Sequence, residues 1–217
     1  GGGASSDNAT VAIPDAGGGV VLSALVSSSI AQLETDLGGV AGGSSDQVQS
    51  IAEIAQSQIS ADGLSGSSDS NLVLPSLLSG AIKGIGANLT GETLVNNAIS
   101  QSIATVMTLL GESELTASAS TGRSVALSVT MQSLLEKLVE TAITSLEGLN
   151  LNSTALEQGL GNVVNAVVTN LGKAKVSASD IGEAVQSVGK SATNSLTKLS
   201  VSDTAKQSLK SQVETTM

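Results

Sequence analysis

The chain has 217 residues, 40% hydrophobic and 13% charged, with a formal charge of −10 and no His, Cys, Phe, Tyr or Trp. Those absences exclude imidazole acid–base chemistry, thiolate nucleophiles, disulfides and thiol redox switches. They also remove base stacking and large aromatic anchors, and the negative charge argues against a nucleic-acid or anionic-membrane partner.

Residues 1–19 hold two Gly triplets and a proline with little periodicity, and read as a flexible Gly/Ser-rich arm or linker. The remainder, 20–217, reads as a helical bundle domain. A chain of this length can bury a core as one domain or two small ones. That core has to be aliphatic, at roughly 1.5–3 kcal/mol for each fully buried Val, Leu or Ile.

The first helix is expected over about 20–37, where Leu22, Val26, Ser29, Leu33 and Leu37 recur at spacings of three and four. Gly38, Gly39, Gly42 and Gly43 should stop it. Ser44 and Gln47 form a capping-box pattern opening a second helix, whose inner face is Val48, Ile51, Ala52, Ala55 and Ile59. After a polar turn at 62–70, Pro75 suits the first turn of a third helix carried by Leu78, Ala81, Ile82 and Ile85. Gly80, Gly84 and Gly86 should weaken it.

A fourth helix, about 91–110, has the stripe Val95, Ile99, Ile103, Val106 and Leu110. The fifth, about 123–148, carries the clearest stripe: Leu127, Met131, Leu134, Leu138, Ala142, Leu146 and Leu149, widened by Leu135, Val139 and Ile143. A sixth, about 154–171, aligns Leu156, Leu160, Val163, Val167 and Leu171, with Thr154 and Glu157 as a capping pair. The seventh runs from Asp180 through Ile181, Val185, Val188, Ala192 and Leu196, and a short terminal helix uses Ala205, Leu209 and Val213. No period-two pattern competes, so the fold class is all-α, a compact bundle of about six to eight short amphipathic helices. No stretch reaches the ~18 apolar residues of a transmembrane segment.

Charge is unevenly placed. Residues 1–120 hold eleven acids against Lys83 alone, whereas 121–217 hold eight acids and eight bases. The ordinary reading is a solvated acidic surface; the sharper one is a dipolar chain that associates head to tail. The junctions Gly86-Ala87-Asn88-Leu89-Thr90 and Gly148-Leu149-Asn150-Leu151-Asn152 are alike, and Lys198 to Asp203 is a looser echo. Either an old duplication or convergent capping chemistry accounts for them.

Sites for chemistry are few. Ser187 with Lys190, or Ser195 with Lys198, draws a Ser–Lys dyad on paper, but on helix faces expected to be exposed, without the burial that activates lysine. Asp62 to Asp69 has a faint calcium-loop look without the ligand spacing or closing glutamate. Gly80 to Gly86 lacks the Gly-Lys-Ser/Thr ending and follows a helical segment, which disfavours a nucleotide site. No catalytic, cofactor-binding or metal residue is therefore assigned, and no cofactor is expected. Three sequons, at Asn8, Asn88 and Asn152, are candidate N-glycosylation acceptors in a secretory pathway.

Helices rich in Ser, Ala, Val, Leu and Asn, with brief Gly/Ser/Asn joints, are carried most clearly by Leu146 to Gly172 and Asn88 to Gly111. In this texture the chain resembles the helical repeat units of spider silk proteins, especially the aciniform and tubuliform types. The resemblance implies a secreted, extracellular, non-catalytic structural module, stored as a soluble bundle and later joined into fibres or a cement. Its partners would be further copies or other structural chains. Acidic, Gly-rich, Cys-free composition is also similar to bacterial harpins, which act at plant cell surfaces. The aliphatic stripes leave a third alternative, a carrier of lipid or another aliphatic ligand.

Overall fold

The computed structural model describes residues 21–40, 44–121, 129–149, 151–196 and 207. The protein is all-helical: α1 Ala24–Val40, α2 Ser45–Ala61, α3 Ser70–Asn88, α4 Glu92–Thr121, α5 Val129–Glu147, α6 Ser153–Thr169 and α7 Ile181–Leu196, with a 3-10 turn at Ala178–Asp180 before the last. No strand occurs among the described residues. The chain gathers into two compact units, one ending at Thr105 and one beginning at Val106. Hydropathy does not mark this division, because the stripe of α4 runs through it without a break. The arm at 1–19 and the terminal segment with Ala205, Leu209 and Val213 lie outside the described residues.

In the first unit, α1 starts at Ala24 rather than near residue 20, because Ser23 caps it. The Ser23 hydroxyl accepts from Val26 N at 3.1 Å and donates to Ser67 O at 2.6 Å. Val26, Ser29, Ile30, Leu33 and Leu37 are buried. Gly38 and Gly39 do not stop α1, which continues to Val40. Both are exposed, and helical φ and ψ cost glycine only backbone entropy.

The Ser44–Gln47 capping box forms in full: Gln47 N donates to Ser44 Oγ at 3.2 Å and Ser44 N to Gln47 Oε1 at 2.8 Å. All five residues read as the inner face of α2 are buried. Helix α3 begins at Ser70, earlier than its proline implies, because the Asp69 carboxylate accepts from Asn71 N at 2.9 Å. Pro75 thus lies in the second turn, where its ring withdraws the bond to the Asn71 carbonyl. Asn71 is exposed, so water can serve that carbonyl.

The glycines of α3 have a packing role that helix propensity hides. A Cβ on Gly80 would come within 2.6 Å of Ala55 Cα, and one on Gly84 within 3.0 Å of Ile51 Cα. Spaced four apart on one face, they let the α2 and α3 backbones approach more closely than any larger side chain permits. The antiparallel hairpin is pinned near both ends. Gln47 Nε2 donates to Asn88 O at 3.0 Å, and Ser76 Oγ donates to Asp62 at 2.7 Å.

In the second unit, Met131, Leu134, Leu135, Leu138, Val139, Ala142, Ile143 and Leu146 of α5 are buried. The expected start at 123, with Leu127, falls outside the described residues. The stripe expected for α6 is buried throughout, its last member Leu171 lying in the turn just beyond the helix. Its cap, however, is Asn152, whose Oδ1 accepts from Ala155 N at 2.8 Å, and not Thr154. Helix α7 presents a face of small residues, with Ala184, Ser187, Gly189, Ser191, Ala192 and Ser195 buried beside Val188 and Leu196. Its Ile181 and Val185 are only partly covered. This face packs on α5, where Ser191 Oγ donates to Glu136 O at 2.6 Å.

The two similar junctions do different things. Asn88 closes α3, its Nδ2 donating to Gly84 O at 2.9 Å, and the residue before α4 is Gly91 at φ 96°. Asn152, by contrast, opens α6. The likeness in sequence is one of residue type, not of position within a turn.

Candidate functional site

The polar side chains that sequence reading weighed for chemistry sit at helix ends and helix crossings. Asp62 caps α2, accepts from Gln58 Nε2 at 3.1 and 3.2 Å, and receives the Ser76 hydroxyl. Asp69 is committed to the start of α3. These two carboxylates close opposite sides of one turn, and no third acid joins them: among the described residues no group of three metal-ligating side chains gathers. Gly80 and Gly84 face α2 instead of a phosphate.

The drawn Ser–Lys dyad separates in the same way. Ser187 is buried against its unit and Lys190 is exposed. Lys198 lies outside the described residues, and its mate Ser195 is buried with no hydrogen-bond partner for its Oγ among them. Ser29 Oγ and Gln56 Oε1, on α1 and α2, are likewise buried without a partner among the described residues. Each such atom costs about 1–3 kcal/mol.

Of the sequons, Asn8 lies outside the described residues. Asn88 is half-buried, with its amide nitrogen engaged by Gly84 O and the following Leu89 buried. Asn152 is exposed, and its helix bond uses Oδ1, leaving the nitrogen that would carry a glycan outside the cap.

Shallow grooves lie among the described residues. One, of about 270 Å³, lies between α5 and α7 and is lined by Ser133, Glu136, Lys137, Glu140, Ser191 and Asn194. Another, of about 340 Å³, lies between α1 and α2 and is lined by Glu34, Gly38, Ser45, Val48 and Gln49. Both are open surface features, the first with a mainly polar lining and the second with a mixed one that includes Val48, unlike the enclosed apolar clefts that hold small ligands.

Sequence reading missed the side-chain ties between helices. Thr105 Oγ1 donates to Asp36 Oδ2 at 2.6 Å, while Gln32 Nε2 holds the other oxygen of the same carboxylate at 2.9 Å. Ser76 to Asp62, Gln47 to Asn88 O, Ser191 to Glu136 O, and Gln132 Nε2 to Glu183 Oε1 at 2.8 Å are further ties. Only Gln32 and Asp36, four apart on one helix, carried a readable signal.

It also missed a pair of matching turns. After α2, Leu64 N donates to Ile59 O and Gly63 N to Ser60 O, with Gly63 at φ 75°. After α6, Val176 N donates to Leu171 O and Lys175 N to Gly172 O, with Lys175 at φ 65°. Both are Schellman turns, and the second places lysine where glycine is usual.

No family model matches the chain, and no curated protein matches it in sequence.

Proposed function

We propose that this chain is a non-catalytic structural module, secreted and extracellular, that assembles with further copies of itself or with other structural chains in a silk-like or cement-like material. The observation that carries this reading is where the polar chemistry goes. Asp36, Asp62, Asp69, Ser23, Ser76, Asn152 and Ser191 are engaged in capping or in tying one helix to another. Side chains able to act on a substrate serve here as fasteners.

Two further features support it. The packing is entirely aliphatic and, at α2–α3 and α5–α7, relies on glycine, alanine and serine, which bury little area each. Exposed Ser and acidic residues favour solubility at high concentration, as storage before assembly requires. None of the described helices is long and apolar enough to cross a membrane.

The test is to concentrate the full chain, shear or dry it, and recover the solid. Fibres or films whose infrared and circular dichroism spectra show helix converting to another ordered structure are the expected result. A chain that remains monomeric and soluble through both treatments overturns the reading.

A further inference from the structure

We propose that the turn carrying Lys173 and Lys175 is a cationic contact that docks on the acidic first unit of a second copy of this chain, an inference that rests on the assembly reading above. Its starting point is the backbone. Lys175 is the non-glycine residue with positive φ among those described, at 65°. A side chain there crowds the neighbouring carbonyl, which is why glycine normally fills this position of a Schellman turn. The same chain uses Gly63 in the same turn after α2, and holds 24 glycines in all. Sparsely populated backbone states persist where surrounding structure enforces them, and they concentrate at functional positions such as active sites, ligand clamps and switch regions.

Here the enforcement is visible. Leu171 and Val176 are both buried beneath the turn. Gly111 of α4 leaves room for the turn itself: a Cβ at that position would run into the Lys173 carbonyl oxygen. Lys173 and Lys175 themselves are exposed. The packing therefore fixes the backbone from which the two lysines project, so docking them costs side-chain but little backbone entropy.

Charge selects the partner. The first unit, through Thr105, contains nine acids and one base, a net −8, while the residues from Val106 contain ten acids and eight bases, a net −2. Both units are net negative, so the attraction is local: the two exposed lysines of one copy meet the more strongly acidic first unit of another. On that unit the groove between α1 and α2 carries Glu34, and Asp46 and Glu53 are exposed three and four residues either side of its Gln49. Such a contact is heterologous and does not close on itself unless the rotation returns, so it generates chains of copies.

Sedimentation of the full chain at low and high salt tests this. The double variant Lys173→Gln/Lys175→Gly should weaken self-association about three- to tenfold at low salt, as loss of two exposed ion pairs would. Its melting temperature should be unchanged or higher, since glycine relieves the backbone. Reversal provides the decisive arm. Lys173→Glu/Lys175→Glu and Glu34→Lys/Glu53→Lys chains should each associate poorly alone and recover when mixed. A mixture no better than either component overturns the contact, as does association that persists in the double variant and at high salt; both leave the assembly reading standing. Binding of a sulfated polysaccharide through these lysines, with no effect on self-association, also overturns it. Wild-type protein that stays monomeric under shear and drying removes the assembly reading and this contact together.

Discussion

The two units solve one packing problem with different residues. In the first, α2 and α3 meet through Gly80 and Gly84, which place backbone against backbone. In the second, α7 packs on α5 with small residues such as Ala184, Ser187, Ser191 and Ser195 buried, and the Ser191 hydroxyl supplies a bond to the neighbouring helix. The first unit also ties helices by donating hydroxyls to carboxylates, at Asp36 and Asp62, whereas the second donates to a backbone carbonyl. The difference teaches that small residues serve packing in two ways, by leaving room for a neighbouring backbone or by supplying a hydroxyl that bonds it. It also places most of the net negative charge, −8 of −10, where carboxylates already serve as structural acceptors.

The comparison breaks first at the cores. Leu77→Ala in the first unit and Leu135→Ala in the second each remove a fully buried side chain and should cost about 2–5 kcal/mol. Amide hydrogen exchange should accelerate mainly over 24–105 for the one and over 129–196 for the other. Uniform acceleration by both would show that the units share one cooperative core.

Next in size is the glycine interface. Gly80→Ala forces a methyl into the Ala55 backbone and should cost about 1–3 kcal/mol by chemical denaturation. Gly38→Ala, with open space around it, should instead stabilise by up to about 1 kcal/mol. Equal effects at the two positions would remove the close-approach argument.

The Schellman turns give a reciprocal exchange. Gly63→Lys should cost about 1–2 kcal/mol through its left-handed backbone, while Lys175→Gly should be neutral or stabilising in thermal melts. At the helix starts, Asn152→Ala should cost about 1 kcal/mol and Thr154→Ala close to nothing, which identifies the cap of α6 directly.

Much of this architecture was legible in the residues. The stripes of α2, α5 and α6 and the Ser44 capping box depend only on local spacing, which the chain writes plainly. What escaped depends on a neighbour. Gly80 and Gly84 read as helix weakeners because propensity describes an isolated helix, whereas their value lies in Ile51 and Ala55 across the interface. Pro75 misled for a related reason: Asp69 sets the start of α3, and the proline is tolerated in its second turn. The cap of α6 went to Asn152 because Ser, Thr and Asn compete as caps and only the chain's path into the helix decides between them. For the site, sequence supplied candidate residues but not their commitments. The Asp62 and Asp69 carboxylates and the Asn88 amide look available until their hydrogen bonds are seen.

The aliphatic interior has an optical corollary. With no aromatic ring and no disulfide in the sequence, the protein is blank in near-ultraviolet absorption and in intrinsic fluorescence. A single tryptophan replacing Leu72, which is 53% exposed at the start of α3, would be its sole chromophore. Its emission would shift to the blue when that surface is covered, against no background at all. Association of native chains, melting of the first unit and conversion into a solid could then be followed in the same sample, through one label that leaves the packed interior untouched.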